Sequence, residues 1–288
     1  MKILVLGSDG MLGHVVTKYF EQQGHQVFGT TRKHSENSHI YYYDVVENYK
    51  ELENILKHTQ PDVVINCIGI LNKFAEENHA SAVLLNSFLP HYVDQCSNQY
   101  HFYFIHVSTD CVFSGKLGQY HEDSMRDAKS FYGSSKALGE INNDHNVTLR
   151  TSIVGPDINP NGIGLFKWFM DQDGDIQGYS KAIWSGVTTI QFAKAMEVAI
   201  KNHLTGLNHV VNNETINKYD LLCLFKKVFE RDIHIIPNDS VAVDKSLVNT
   251  KNKDLFQIPS YEQMVQEMKE WVLEHQDLYP ELVYKIGR

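Results

Sequence analysis

The sequence predicts a doubly wound α/β fold, a parallel sheet with helices on both faces, followed by a smaller and mostly helical C-terminal lobe. Three observations carry that expectation. Short apolar runs alternate with amphipathic stretches through the first 155 residues, a glycine-rich turn directly follows the first run, and the rhythm loosens after residue 155. Parallel strands need a connection long enough to cross back over the sheet, and an amphipathic helix supplies it.

Taken in order, KILVLG (2–7), HQVFGTT (25–31), PDVVINCIG (61–69), FYFIHVS (102–108) and VTLRTSIVG (147–155) read as strands. Each is short, rich in β-branched or aromatic residues, and ended by glycine or polar residues. YYY (41–43) reads as an edge strand. Between them, MLGHVVTKYFEQQG, NYKELENILKHT, ASAVLLNSFLPHYVDQCSNQ and FYGSSKALGEIN space their apolar residues at close to the helical period. Pro90 in the third predicts a kink or an early stop. GPDINPNGIG (155–164) is turn-rich and leads out of the sheet. Helices are expected at 188–202, 218–230 and 260–275, and strands at 207–213 and 232–238. The expected domains are therefore 1–155 and 156–288, with the boundary crossed more than once.

Composition narrows the function. The net charge of −9 argues against a general nucleic-acid binder, which needs a concentrated basic face. Cys67, Cys96, Cys111 and Cys223 are widely spaced and form no metal-binding pair, so reduced thiols in the cytoplasm are the simpler expectation. Fifteen histidines are scattered without ligand spacing, and no metal is expected. No apolar run reaches the length needed to span a bilayer, and MKILVLG lacks a signal-peptide layout.

The chemistry begins at GSDGMLG (7–13), which holds Gly7, Asp9, Gly10, Met11, Leu12 and Gly13 between a strand and a helix. Gly7 permits the tight turn, Gly10 lets a pyrophosphate approach the main chain, and Gly13 lets the helix pack on the sheet. At the end of the second strand an acid commonly takes the ribose 2′-hydroxyl of NAD, whereas arginine accommodates a 2′-phosphate. The chain reads GTTRKHSE there, with Arg32 and Lys33 and no acid until Glu36, which favours NADPH and leaves NADH as the alternative. Tyr132 and Lys136 stand four apart and share a helix face. A neighbouring ammonium stabilises a phenolate, so Lys136 is expected to lower the Tyr132 pKa toward neutrality. Thr109, at the end of the fourth expected strand, can hydrogen-bond the same substrate oxygen.

These stretches, with YDVV around Asp44, NCIG (66–69), STDCVFSG, YGSSKALGE and LRTSIVGP, resemble extended short-chain dehydrogenases/reductases, and among them the dTDP-4-dehydrorhamnose reductase (RmlD-like) family. The resemblance covers essentially the whole chain and is strongest over 1–155. It implies NADPH-linked reduction of the C4 ketone of a nucleotide-activated 4-keto-6-deoxy sugar. Thr109, Tyr132 and Lys136 would be the catalytic trio, Asp44 and Val45 would lie against the adenine, and Cys67, Ile68 and Gly69 would line the cofactor. It implies no nucleic-acid or membrane partner and is compatible with a homodimer.

The chain also departs from that family. A 4,6-dehydratase would carry Asp-Glu after the threonine, and here Thr109 is followed by Asp110 and Cys111. An epimerase would retain NAD, against the basic Arg32/Lys33 turn. LRTS continues as IVGP without an aromatic residue, and IGILNKFAEEN (68–78) is unlike a strict rhamnose enzyme, so a UDP-linked 2-acetamido-4-keto sugar is a competing substrate. Trp168 and the WSGVTTI run from Trp184 belong to the sugar pocket or to packing, and Asn86 to a proton relay or to a helix interior. A different class also stands open, a non-catalytic NADP-binding subunit such as the β subunit of methionine adenosyltransferase.

Overall fold

The computed structural model describes residues 1–212 and 214–288. Its strands are β1 (Lys2–Leu6), β2 (Gln26–Thr31), β3 (Ile40–Tyr42), β4 (Val63–Asn66), β5 (Tyr103–Thr109), β6 (Val147–Thr151), β7 (Ile153–Val154), β8 (Gly174–Trp184), β9 (Val187–Thr188), β10 (Gly206–His209), β11 (Ile216–Asn217) and β12 (Ile233–Asp244). Its helices are α1 (Gly13–Gln22), α2 (Val45–Asn48), α3 (Glu51–Thr59), α4 (Asn72–Glu77), α5 (His79–Ala82), α6 (Leu89–Tyr100), α7 (Phe131–Leu138), α8 (Leu165–Met170), α9 (Thr189–Lys201), α10 (Lys218–Phe229), α11 (Tyr261–Glu274) and α12 (Pro280–Lys285). The chain divides into two compact units, one of residues 1–114, 125–150 and 196–208, the other of 115–124, 151–195 and 209–288.

The first unit is built on a seven-stranded sheet in the order β10-β6-β5-β4-β1-β2-β3. The pairs β1–β2, β1–β4, β2–β3 and β4–β5 are parallel. Leu4, Leu6, Val64 and Phe104 pack against Leu52, Ile55 and Leu56 of α3 and Leu89 and Val93 of α6. Strands covered on both faces need apolar residues on both, so they appear as unbroken runs rather than as alternation. After β1 the chain turns one way to β2 and later returns on the other side as β4, which opens a crevice at the carboxyl ends of these strands.

The stretch expected as one helix from residue 80 is helical from His79 to Tyr100 but contains a π-helical turn, Val83–Phe88. Pro90 falls in the first turn of α6 and neither stops nor ends the helix there. The wide turn before it accommodates a residue that has no N–H to donate.

The second unit carries a three-stranded sheet, β11-β8-β12, in which β8 and β12 run parallel and β11 antiparallel to β8. The eleven-residue β8 was not among the expected strands; its GDIQGYSKAIW sequence has two glycines and few apolar residues, and pairing with β12 holds it instead. Phe166 of α8 packs on Phe225 and Phe229 of α10, with ring centroids 5.3 and 4.7 Å apart. Helix α11 opens with a capping box between Ser260 and Gln263. The strand expected at 207–213 is found over Gly206–His209, and position 213 lies outside the described residues. Among the described residues no helix is long and apolar enough to cross a membrane.

Candidate active site

The turn after β1 is shaped by its glycines. Gly7 takes φ +77°, a left-handed conformation open to glycine. The Gly10 N–H donates to the Gly7 carbonyl at 3.1 Å. A Cβ on Gly13 would stand 2.0 Å from the Gly7 oxygen, so only glycine allows α1 to begin so close to the turn. A Cβ on Gly10 would meet only that oxygen, at 3.4 Å, leaving its main chain open to a phosphate at the helix N-terminus. Leu12 is buried and Met11 half-buried. The Asp9 carboxylate accepts a 2.7 Å hydrogen bond from the Thr31 hydroxyl at the end of β2, and exposed Arg32 and Lys33 follow.

Asp44 caps α2 by accepting from the Val46 N–H at 2.8 Å. The Val45 side chain is buried in the core beneath. After β4 the Ile68 N–H donates to the Asn66 side chain at 3.0 Å, Cys67 is half-buried, and Gly69 is exposed. An open turn, a helix N-terminus and three strand ends in one unit fit a dinucleotide.

Thr109 closes β5. Its hydroxyl donates to Asp110 and accepts from the Cys111 N–H, both at 3.1 Å. Helix α7 begins with Ser130 as cap, and the Tyr132 N–H donates to Glu76 at 3.2 Å. A Cβ on Gly133 would lie 2.1 Å from the Cys111 oxygen, so glycine lets α7 seat directly on the turn after β5. That contact seats Tyr132 beside the end of β5, packed among Ala75, Ala82, Ile70 and Cys111. Burial raises the Tyr132 pKa well above that of a free phenol, Cys111 and Asp110 add to the rise, and Thr109 opposes it.

The expected lowering of that phenol by Lys136 is therefore not found. The Lys136 amine donates instead to the Val107 carbonyl at 2.7 Å. Its own pKa is lowered to about 8, by burial, against the opposing charges of Glu140 and Cys67. Both residues of the pair are removed from water, and burial is the leading cause of both shifts.

Beneath them is a charged cluster that the sequence reading left unassigned. Glu140, just past α7, is gripped by fully buried Arg150 of β6 through two 2.7 Å bonds, and accepts from Ser108 at 2.6 Å and Arg126 at 3.0 Å. Burial pushes the Glu140 pKa up, but Arg150, Ser108 and Arg126 hold it below the ordinary carboxylate value. Asn86, in the π turn and fully buried, donates to the Ile70 carbonyl at 3.0 Å and the Ser135 hydroxyl at 3.1 Å, and accepts from the Ile70 N–H. Its side chain thus ties the loop after β4 to α7. Trp168 and Trp184 lie in the second unit; the Trp184 ring is buried with Lys218 4.8 Å from its centroid.

The spore coat polysaccharide biosynthesis protein SpsK of Bacillus subtilis is 28% identical over 225 residues, 76% of each chain. Methionine adenosyltransferase 2 subunit beta of Xenopus tropicalis is 23% identical, covering 79% of this chain and 72% of that one. Among solved structures, dTDP-4-dehydrorhamnose reductase of Bacillus anthracis, in complex with NADP, superposes with a TM-score of 0.79 at 18% identity over 94% of this chain and 99% of the other. Residues 1–280 match the family described as the RmlD substrate binding domain, and the chain belongs to that family.

Proposed function

We propose that the chain is an NADPH-linked reductase of the C4 ketone of a nucleotide-activated 4-keto-6-deoxy sugar, working in surface-polysaccharide or deoxysugar biosynthesis. The observation that carries this reading is the seating of α7, with Tyr132 and Lys136 one turn apart, on the end of β5 that Thr109 closes, in the same unit as the glycine turn. Family membership and the likeness to SpsK support the substrate class.

NADPH, held by the turn of Gly7, Gly10 and Gly13 with Arg32 and Lys33, supplies a hydride when bound. Tyr132 is kept protonated by burial, which suits it to donate its phenolic proton to a developing alkoxide. Thr109, whose hydroxyl donates to Asp110, would turn that hydroxyl to the same oxygen when substrate binds. Lys136 holds a positive charge beneath that oxygen in a site removed from water, where a fixed charge counts for more than it would in solvent. Asn86 and the Glu140–Arg150 pair hold α7 and β5 in the register that brings the trio together. Work in the cytoplasm, as a monomer or a homodimer, belongs to the same proposal.

Loss of NADPH absorbance with dTDP- and UDP-linked 4-keto-6-deoxy sugars tests it. Turnover of one of them should fall by roughly a thousandfold or more in Tyr132→Phe, while NADPH binding stays intact. A Phe variant that retains its rate sinks the assignment. The departure from the rhamnose pattern after LRTS leaves a UDP-linked 2-acetamido-4-keto sugar as the alternative substrate. The likeness to the adenosyltransferase β subunit supports a second reading, a nucleotide-binding regulatory subunit. NADPH binding without turnover of any keto sugar, together with a stoichiometric protein partner, would favour it.

A further inference from the structure

The end of β2 holds an acid that does not belong to β2. The sequence after that strand reads Thr31-Arg32-Lys33 and contains no carboxylate until Glu36, yet Asp9 of the glycine turn arrives there through space. Strands β1 and β2 are adjacent and parallel, with Val5 opposite Gly29, so their carboxyl ends lie side by side. The Thr31 hydroxyl donates to Asp9 Oδ2 at 2.7 Å and accepts from the Lys33 N–H at 3.2 Å. Thr31 is buried, and the Gly7 N–H and the Ser8 hydroxyl are bound to neighbouring Thr30 at 3.0 and 3.1 Å. The turn is thus tied at several points to the end of β2, and the carboxylate is held in place, half-buried.

We propose that Asp9 is the ribose-reading residue of the cofactor site and that it sets the balance between NADPH and NADH. This rests on the dinucleotide reading above. A carboxylate at the end of the second strand accepts from a ribose 2′-hydroxyl and repels a 2′-phosphate, whereas a guanidinium there does the reverse. In this chain both kinds of group stand at one strand end: Asp9, tethered by Thr31, and Arg32 and Lys33, exposed on the following turn. A tethered carboxylate is a permanent penalty on the 2′-phosphate, and the two exposed cations offset it. Discrimination is therefore a difference between opposing charges, and removing either side should tip it.

The experiment is a titration of wild type, Asp9→Asn, Thr31→Val and Arg32→Ala with NADPH and NADH by nucleotide fluorescence, repeated with adenosine 2′,5′-bisphosphate and AMP as fragments. Asp9→Asn should tighten NADPH and weaken NADH, changing the ratio of the two affinities by on the order of tenfold or more. Arg32→Ala should move the ratio the other way. Thr31→Val keeps the charge but removes the tether, and should weaken NADH more than NADPH. The bisphosphate and AMP should follow NADPH and NADH respectively. Equal shifts for both nucleotides in Asp9→Asn, or no shift, would overturn the assignment while leaving the cofactor reading intact. Failure of wild type to bind either nucleotide would instead remove the cofactor reading and this inference with it.

Discussion

At Lys136 a positive charge is needed in a place that opposes one. Burial lowers its pKa to about 8, against an ordinary 10.5, so the ammonium is present below that value and lost above it. The expected consequence is a fall in kcat/KM as pH rises through about 8. Arginine holds its proton throughout this range, so in Lys136→Arg the decline should disappear, whatever the absolute rate. A pH profile of both proteins checks this. The stability effect has its own sign. Because the folded-state pKa is the lower one, the unfolded chain binds more protons between about pH 8 and 10.5, and the contribution of Lys136 to stability rises across that window. The spacing of Tyr132 and Lys136 was legible because one helix turn separates them. Their titration was not, since it depends on how much water each has lost. Asp9 illustrates the same limit, because an acid looked for along the chain after β2 is delivered instead by the neighbouring strand.

Elements hold those residues by a few costly contacts. Glu140 and Arg150 are both buried and bind each other through two bonds, so neutralising Glu140 leaves a buried guanidinium without that counter-charge. Glu140→Gln should therefore cost about 3–5 kcal/mol, read as a shift of the urea midpoint. An unchanged midpoint would mean that water reaches Arg150. Strand β6 gave little notice of this role, because a single arginine inside VTLRTSIVG reads as an interruption until its partner is known. The glycine turn was legible for the opposite reason: its geometry is local, and three glycines in seven residues leave few other conformations to consider. Strand β8 lies between these cases. Its own residues have weak strand character, and β11 and β12, both further along the chain, hold it from either side.

For the whole molecule, ligand and fold are linked by mass action. A nucleotide that binds only the folded protein should add about 2.7 kcal/mol at a hundredfold excess over its Kd. Thermal unfolding with NADPH should therefore begin several degrees higher, and Gly13→Ala, which crowds the Gly7 carbonyl, should lose that increment. Equal shifts in both proteins would show that the glycine turn is not where the nucleotide binds. Parallel topology was legible from alternation alone. Which segments cross the expected boundary was not, because residues 196–208 return to the first unit after a long excursion through the second. That return has a consequence during synthesis. Strand β6, which carries Arg150, gains its outer neighbour only when residues 206–209 have left the ribosome. Until then β6 is an open edge with unpaired main-chain groups, able to recruit another nascent chain. A fragment cut near residue 155 would keep every residue of the proposed trio and still stay in that unfinished state.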